Sequence, residues 1–193
     1  TAEAAALRAM LTSGGDTPVV VISGPAGAGK STLARHVAHE VAGCFPDGQL
    51  YADLHGATPG VAPLTAGDLL GRFLRALGVP ADAVPGDPEE AAALWRTHLA
   101  GRRVLTVLDD AADPAQVRPL LAVPPGNVVL ITSRATFVSV DDCRQLELGL
   151  LPDDEALAML TRLVGPERLG PGDPAAARLV RLCGGLPLAL RII

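Results

Sequence analysis

Short apolar runs alternate along the chain with segments of helical period. Residues 18–23 (PVVVIS) are almost unbroken apolar sequence, the pattern of a strand buried on both faces of a parallel sheet. Residues 103–109 (RVLTVLD) and 127–132 (NVVLIT) have the same character. Residues 49–54 alternate more and give a weaker strand signal, and residues 144–148 (RQLEL) predict a short fifth strand. Between them, residues 30–42 place Leu33, Val37 and Val41 on one helical stripe. Residues 65–77 do the same with Leu69, Leu70, Phe73, Leu74 and Leu77. Asp87-Pro88-Glu89-Glu90 is a helix start, with Asp at the N-cap, Pro in the first turn and acids near the positive end of the dipole. That helix should run through Trp95 to Ala100, and Asp113-Pro114 and Asp173-Pro174 repeat the signal.

The resulting order, βαβααβαβαβ, predicts an α/β fold: a five-stranded parallel sheet with helices on both faces. After Leu151 the strand signal stops. Residues 153–164 and 174–183 read as helices, residues 165–174 as a Pro/Gly-rich loop, and a last helix begins near Leu186. The expected division is an α/β domain over 1–150 and the beginning of a small helical subdomain over 151–193.

Gly24-Pro25-Ala26-Gly27-Ala28-Gly29-Lys30-Ser31-Thr32 fits the Walker A pattern between a buried strand and an amphipathic helix, which predicts a nucleotide-binding domain over 1–150. Its glycines let several N–H groups face one phosphate, and the helix dipole adds positive potential. Lys30 would reach the β- and γ-phosphates, the Ser31 hydroxyl would ligate Mg²⁺, and Thr32 would support the α-phosphate side. The run ending Leu108-Asp109-Asp110 is an apolar strand closed by carboxylates, the Walker B arrangement. Asp109 would hold Mg²⁺ through a water. Asp110 would orient or deprotonate the attacking water, or else simply face solvent. Residues 128–134 end in Thr132-Ser133-Arg134, and the carboxyl edge of a parallel sheet is where ligands bind. Arg134 would give a charge-assisted bond to a γ-phosphate and so sense hydrolysis, unless it is an ordinary surface arginine.

Other residues carry less. His36, His39, His55 and His98 lack ligand spacing, Arg102-Arg103 reads as the solvated start of a strand, and Asp141-Asp142 as a turn. Cys44, Cys143 and Cys183 show no zinc spacing and read as buried, reduced thiols of a cytosolic protein. The net charge of −5 opposes nucleic-acid binding by this chain alone. No stretch reaches the roughly 18 apolar residues of a membrane span. The first ten residues lack the basic region and apolar core of a signal peptide, and both ends read as cuts within a larger protein. A guanine-specific Asn-Lys-x-Asp is missing, since the relevant strand gives Asn127-Val128-Val129-Leu130, and there is no Arg-rich lid of the nucleoside-kinase kind.

Taken in order, GPAGAGKST, LTVLDD, VVLITSR and CGGLPLA resemble the NB-ARC nucleotide-binding module. That module belongs to the STAND class of P-loop ATPases, found in plant resistance proteins, apoptotic protease activators and many bacterial regulators. Residues 45–51 (FPDGQLY) and Asp53-Leu54-His55-Gly56 are similar to the version in bacterial transcriptional regulators of antibiotic pathways, and residues 148–160 resemble the segment linking sheet to helical subdomain. The resemblance implies a further strand between those carrying Walker A and Walker B. It implies that Pro187 packs near adenine and that Arg134 is the first sensor. It also implies a switch, in which ADP holds a closed form and ATP, slowly hydrolysed with Mg²⁺, favours an open form that oligomerises. The partners would be adenine nucleotide and the other domains of the parent protein, without nucleic acid or membrane. The alternative is a scaffold that holds nucleotide without hydrolysing it. The family's hydrophobic-Gly-Arg motif and its winged-helix part have no counterpart in these residues.

Overall fold

The computed structural model describes residues 1–14, 18–137, 143–165, 167–169 and 173–193. The turn expected at Asp141-Asp142 lies outside the described residues, as do residue 166 and residues 170–172 of the expected loop. The chain forms two compact units, one of Thr1–Ser23 with Ser31–Glu147 and one of Gly24–Lys30 with Leu148–Ile193.

The first unit is built on strands β1 (Val19–Ser23), β2 (Gln49–Asp53), β3 (Leu105–Ala111), β4 (Val128–Ser133) and β5 (Cys143–Glu147). They form one sheet in the order β2-β3-β4-β1-β5, with every pair parallel. β4 therefore separates the Walker A strand β1 from the Walker B strand β3, the order the resemblance implied. The most apolar strands are the central ones, and β1 is buried at every position. The alternating β2 and β5 are the edges, where one side of the strand lacks a partner and polar residues belong.

Helices α3 (Ala66–Ala76), α4 (Pro88–Leu99) and α5 (Pro114–Leu121) cover one face. Their Leu70, Phe73, Trp95, Leu99, Val117 and Leu120 join Val19, Val21, Val129 and Ile131 of the strands in a single core. Thr65 and Asp68 cap α3 reciprocally, and Asp87 and Asp113 cap α4 and α5. Strand alternation sends Val20 and Ile22 to the other face, where they are equally buried. Helix α2 (Lys30–Glu40) lies over that face, since Gln49 donates from Nε2 to the Ala38 carbonyl at 2.6 Å. Helix α1 (Ala2–Thr12) packs on β5 and is tied to α2 by Arg8 and Glu40.

Sequence reasoning gave α1 no element, although Ala4, Leu7 and Leu11 are its buried stripe. It also placed a helix between the last two strands of the sheet. Residues 134–137 there form bends and coil, and residues 138–142 lie outside the described residues. The Ala135 N–H is taken by Ser133 Oγ at 3.1 Å, a local turn that competes with helix formation.

In the second unit α6 (Asp153–Val164), α7 (Pro174–Cys183) and α8 (Pro187–Ile192) enclose a small core of Ala156, Leu160, Ala176, Val180 and Leu190. Among the described residues no helix is long and apolar enough to cross a membrane.

Candidate functional site

In the second unit, residues 24–30 form the Walker A loop that leads into α2. Gly24, Gly27 and Gly29 take φ of 145°, 78° and 98°, conformations that side chains resist. At Gly24 a Cβ would also lie 2.2 Å from the Leu148 carbonyl oxygen, so the loop can only approach that backbone as glycine. Lys30 is 9% exposed and turns its ammonium back on the loop, donating to the carbonyls of Gly24 and Pro25 at 2.8 Å each. The Gly185-Leu186-Pro187-Leu188 segment of the same unit reaches the loop as well. The Leu188 N–H donates to the Gly27 carbonyl at 3.2 Å, and the side chains of Leu186 and Leu188 occupy the space beside Gly27. Pro187 starts α8 half-buried, where a missing N–H is harmless.

In the first unit, Asp109 and Asp110 are adjacent but differently held. Leu108 pairs with Ile131 while Ala111 pairs with Ser133, so β3 sets two residues against one and bulges. Asp110 takes the strain with a left-handed φ of 55°. Its carboxylate accepts the Ala57 N–H at 3.0 Å, its carbonyl accepts the Gly56 N–H at 2.8 Å, and its N–H goes to Thr132 Oγ1 at 2.9 Å. Gly56 can only be glycine, because a Cβ there would sit 2.3 Å from the Ala112 nitrogen. Gln116 of α5 fastens the same loop, donating to the carbonyls of Leu54 and Leu64 while accepting from Ala112 N–H.

Asp109 is 5% exposed. Its Oδ1 accepts from the Thr132 hydroxyl, and its Oδ2 from the Tyr51 phenol at 2.8 Å. Thr132 and Ser133, expected at a ligand crevice, are thus buried and bonded inside the sheet, Ser133 Oγ donating to the Ala111 carbonyl at 2.8 Å. The phenol of Tyr51 is pushed well above the ordinary tyrosine value, first by burial and then by its bond to Asp109. Arg134 is exposed, with Nη2 at 3.5 Å from the Ala57 carbonyl. Ser31 is half-buried in the first turn of α2, and Thr32 beside it is exposed.

The donor chemistry fits a magnesium nucleotide. A carboxylate offers about four lone-pair positions, of which two on Asp109 accept hydroxyls, leaving room for metal-bound water. Among the described residues no cluster of three His, Cys, Asp or Glu could cage a metal. Mg²⁺ takes few protein oxygens and completes its shell with water and phosphate. Of the residues that hold the candidate site, Tyr51, Gly56, Ala57 and Gln116 are not among those predicted from the sequence. Only Tyr51 and Gly56 had a signal, as members of the FPDGQLY and DLHG strings.

The NB-ARC domain family matches residues 1–170. The regulatory protein AfsR of Streptomyces coelicolor is 48% identical over 180 residues, 93% of this chain and 18% of that protein. AfsR of Streptomyces griseus is 48% identical over 174 residues, 90% of this chain and 18% of its own length. The chain thus spans less than a fifth of these relatives. Among solved structures, a signal transduction ATPase with numerous domains and a tetratricopeptide repeat sensor, from Pyrococcus horikoshii, aligns with a TM-score of 0.61 and 22% identity, over 98% of this chain and 29% of that one. Cdc6p of Pyrobaculum aerophilum aligns with a TM-score of 0.60 and 16% identity, over 82% of this chain and 47% of that one. At such identities the likeness establishes the fold. With a family match across most of the residues and nearly half of them shared with AfsR, the chain belongs to the NB-ARC family of nucleotide-binding modules.

Proposed function

We propose that the chain is the ATP/ADP-binding switch of a larger cytoplasmic regulator, with slow Mg²⁺-dependent hydrolysis governing passage from an inactive to an oligomerising form. The observation that carries this is the loop of residues 24–30, its positive φ at three glycines and its lysine drawn back onto the loop carbonyls. Residues 24–29 wrap the phosphates with the backbone N–H groups of the loop, Pro25 alone having none to give, while Lys30 adds charge and Thr32 lies toward the α-phosphate. Ser31 and, through a water, Asp109 hold Mg²⁺, which when bound neutralises charge on the phosphates. Asp110 holds the attacking water and takes its proton, Arg134 leaves Ala57 to engage a γ-phosphate, and Pro187 contacts adenine. Residues 1–150 form the nucleotide-binding domain and 151–193 the beginning of the helical subdomain. Partners are adenine nucleotide, the other domains of the longer protein and, with ATP, further copies of it, and neither nucleic acid nor membrane is bound by this chain.

Calorimetric titration with ADP, ATP and GDP in the presence of Mg²⁺ tests the reading. Adenine nucleotides should bind in preference to GDP. Lys30→Ala should lose about 1.5–3 kcal/mol of that affinity, the worth of a charged hydrogen bond. Equal affinity in that variant refutes the lysine's role. One observation favours a scaffold that does not hydrolyse: the Asp110 carboxylate already accepts the Ala57 N–H. Phosphate release unaltered by Asp110→Asn supports that alternative.

A further inference from the structure

Tyr51 lies on β2, two residues before Asp53, which pairs with Asp109 in the register of β2 and β3. Side chains two apart on a strand share a face, so Tyr51 and Asp109 are diagonal neighbours on one side of the sheet. It is the side covered by α2, since Gln49, two residues before Tyr51, reaches the Ala38 carbonyl. Tyr51 as a residue is 42% exposed, yet its hydroxyl turns onto Oδ2 of the buried Asp109. From the opposite flank Thr132 on β4 donates to Oδ1. Each oxygen of the carboxylate is therefore held by a hydroxyl from a neighbouring strand, which fixes both its rotation and its remaining lone pairs.

We infer that Tyr51 is a positioning residue for the metal-holding carboxylate. Its phenol, opposite Thr132, sets the plane of Asp109 so that the free lone pairs meet the hydration shell of Mg²⁺. The inference rests on the proposed role of Asp109 and deepens it. A phenylalanine would fill the same place on this edge strand without donating, so the hydroxyl is the part of Tyr51 that acts on Asp109. Groups that orient a metal ligand typically change metal affinity by about 10–100-fold when removed.

The test compares wild type, Tyr51→Phe and Asp109→Asn by calorimetric titration with ADP, first with EDTA and then across a Mg²⁺ series. Tyr51→Phe should keep the Mg²⁺-free ADP affinity within about twofold, while the Mg²⁺ concentration giving half of the metal's effect rises about 10-fold. Asp109→Asn should abolish the metal's effect. An unaltered Mg²⁺ dependence in Tyr51→Phe, with Asp109→Asn impaired, overturns the inference and leaves the functional reading standing. Equal weakening of ADP with and without Mg²⁺ makes Tyr51 merely structural and also overturns it. If Asp109→Asn has no effect either, the metal role of Asp109 falls and the inference falls with it.

Discussion

Asp109 and Asp110 are the same side chain at adjacent positions, yet the backbone gives them different work. Asp109 continues the pleat of β3 and is closed in by two hydroxyls. Asp110 is turned out of the pleat by the bulge and is steadied by a backbone N–H. The environment of Asp109 can be read optically, because Tyr51 is the only tyrosine in the chain. Its phenol is expected to ionise well above the ordinary value of 10.0. Asp109→Asn should bring it down without restoring the ordinary value, since burial, the larger cause, remains. The sign for stability follows from linkage. The unfolded tyrosine releases its proton near pH 10 while the folded one retains it, so the contribution is complete below that pH and declines above it. Spectrophotometric titration of the phenolate in both proteins checks this, and an ordinary value in the wild type would refute the Tyr51–Asp109 bond.

At the scale of elements, much was legible because it rests on local patterning. Apolar runs mark β1, β3 and β4, whereas the weaker signal of β2 does not disclose its place at the edge of the sheet. Asp-Pro starts marked α4, α5 and α7, whose capping carboxylates are in place. The bulge in β3 was not legible, because it depends on register against β4 and on the loop that clasps it. That loop is held by chemistry spread across the chain: Gly56 against Ala112, Ala57 against Asp110, and Gln116 against Leu54 and Leu64. The α1 stripe is faint in the sequence, since Leu7 and Leu11 fall among alanines. Gly56→Ala tests the clasp. Its Cβ would meet backbone at 2.3 Å and 2.4 Å, atoms that cannot swing away as a side chain could. The expected loss is about 1–3 kcal/mol, the usual result of overpacking, with phosphate release lowered further as Asp110 is displaced. Urea unfolding gives the first quantity, and an unchanged midpoint would mean the loop yields freely.

At the scale of the molecule, the two units have cores of different size, a broad one under the sheet and a small one among α6, α7 and α8. Stability need not be uniform across such a chain, and the smaller core should open first. The single tryptophan separates the two events, because Trp95 is fully buried in the sheet unit's core against Phe73. Helical circular dichroism follows both units, whereas Trp95 fluorescence follows one. The expected result is that dichroism begins to fall at lower denaturant than fluorescence, a departure from two-state behaviour. The phosphate loop belongs to the smaller unit, bound there through Leu148 and Leu188. A nucleotide held by Gly24–Lys30 therefore stabilises the weaker part, by about 2.7 kcal/mol at a hundred times the dissociation constant. Adding Mg²⁺ and ADP should move the early dichroism change toward the fluorescence transition and leave the latter less affected. Coincident transitions that ADP shifts together would mean the units unfold as one, and that the loop draws its order from the whole chain.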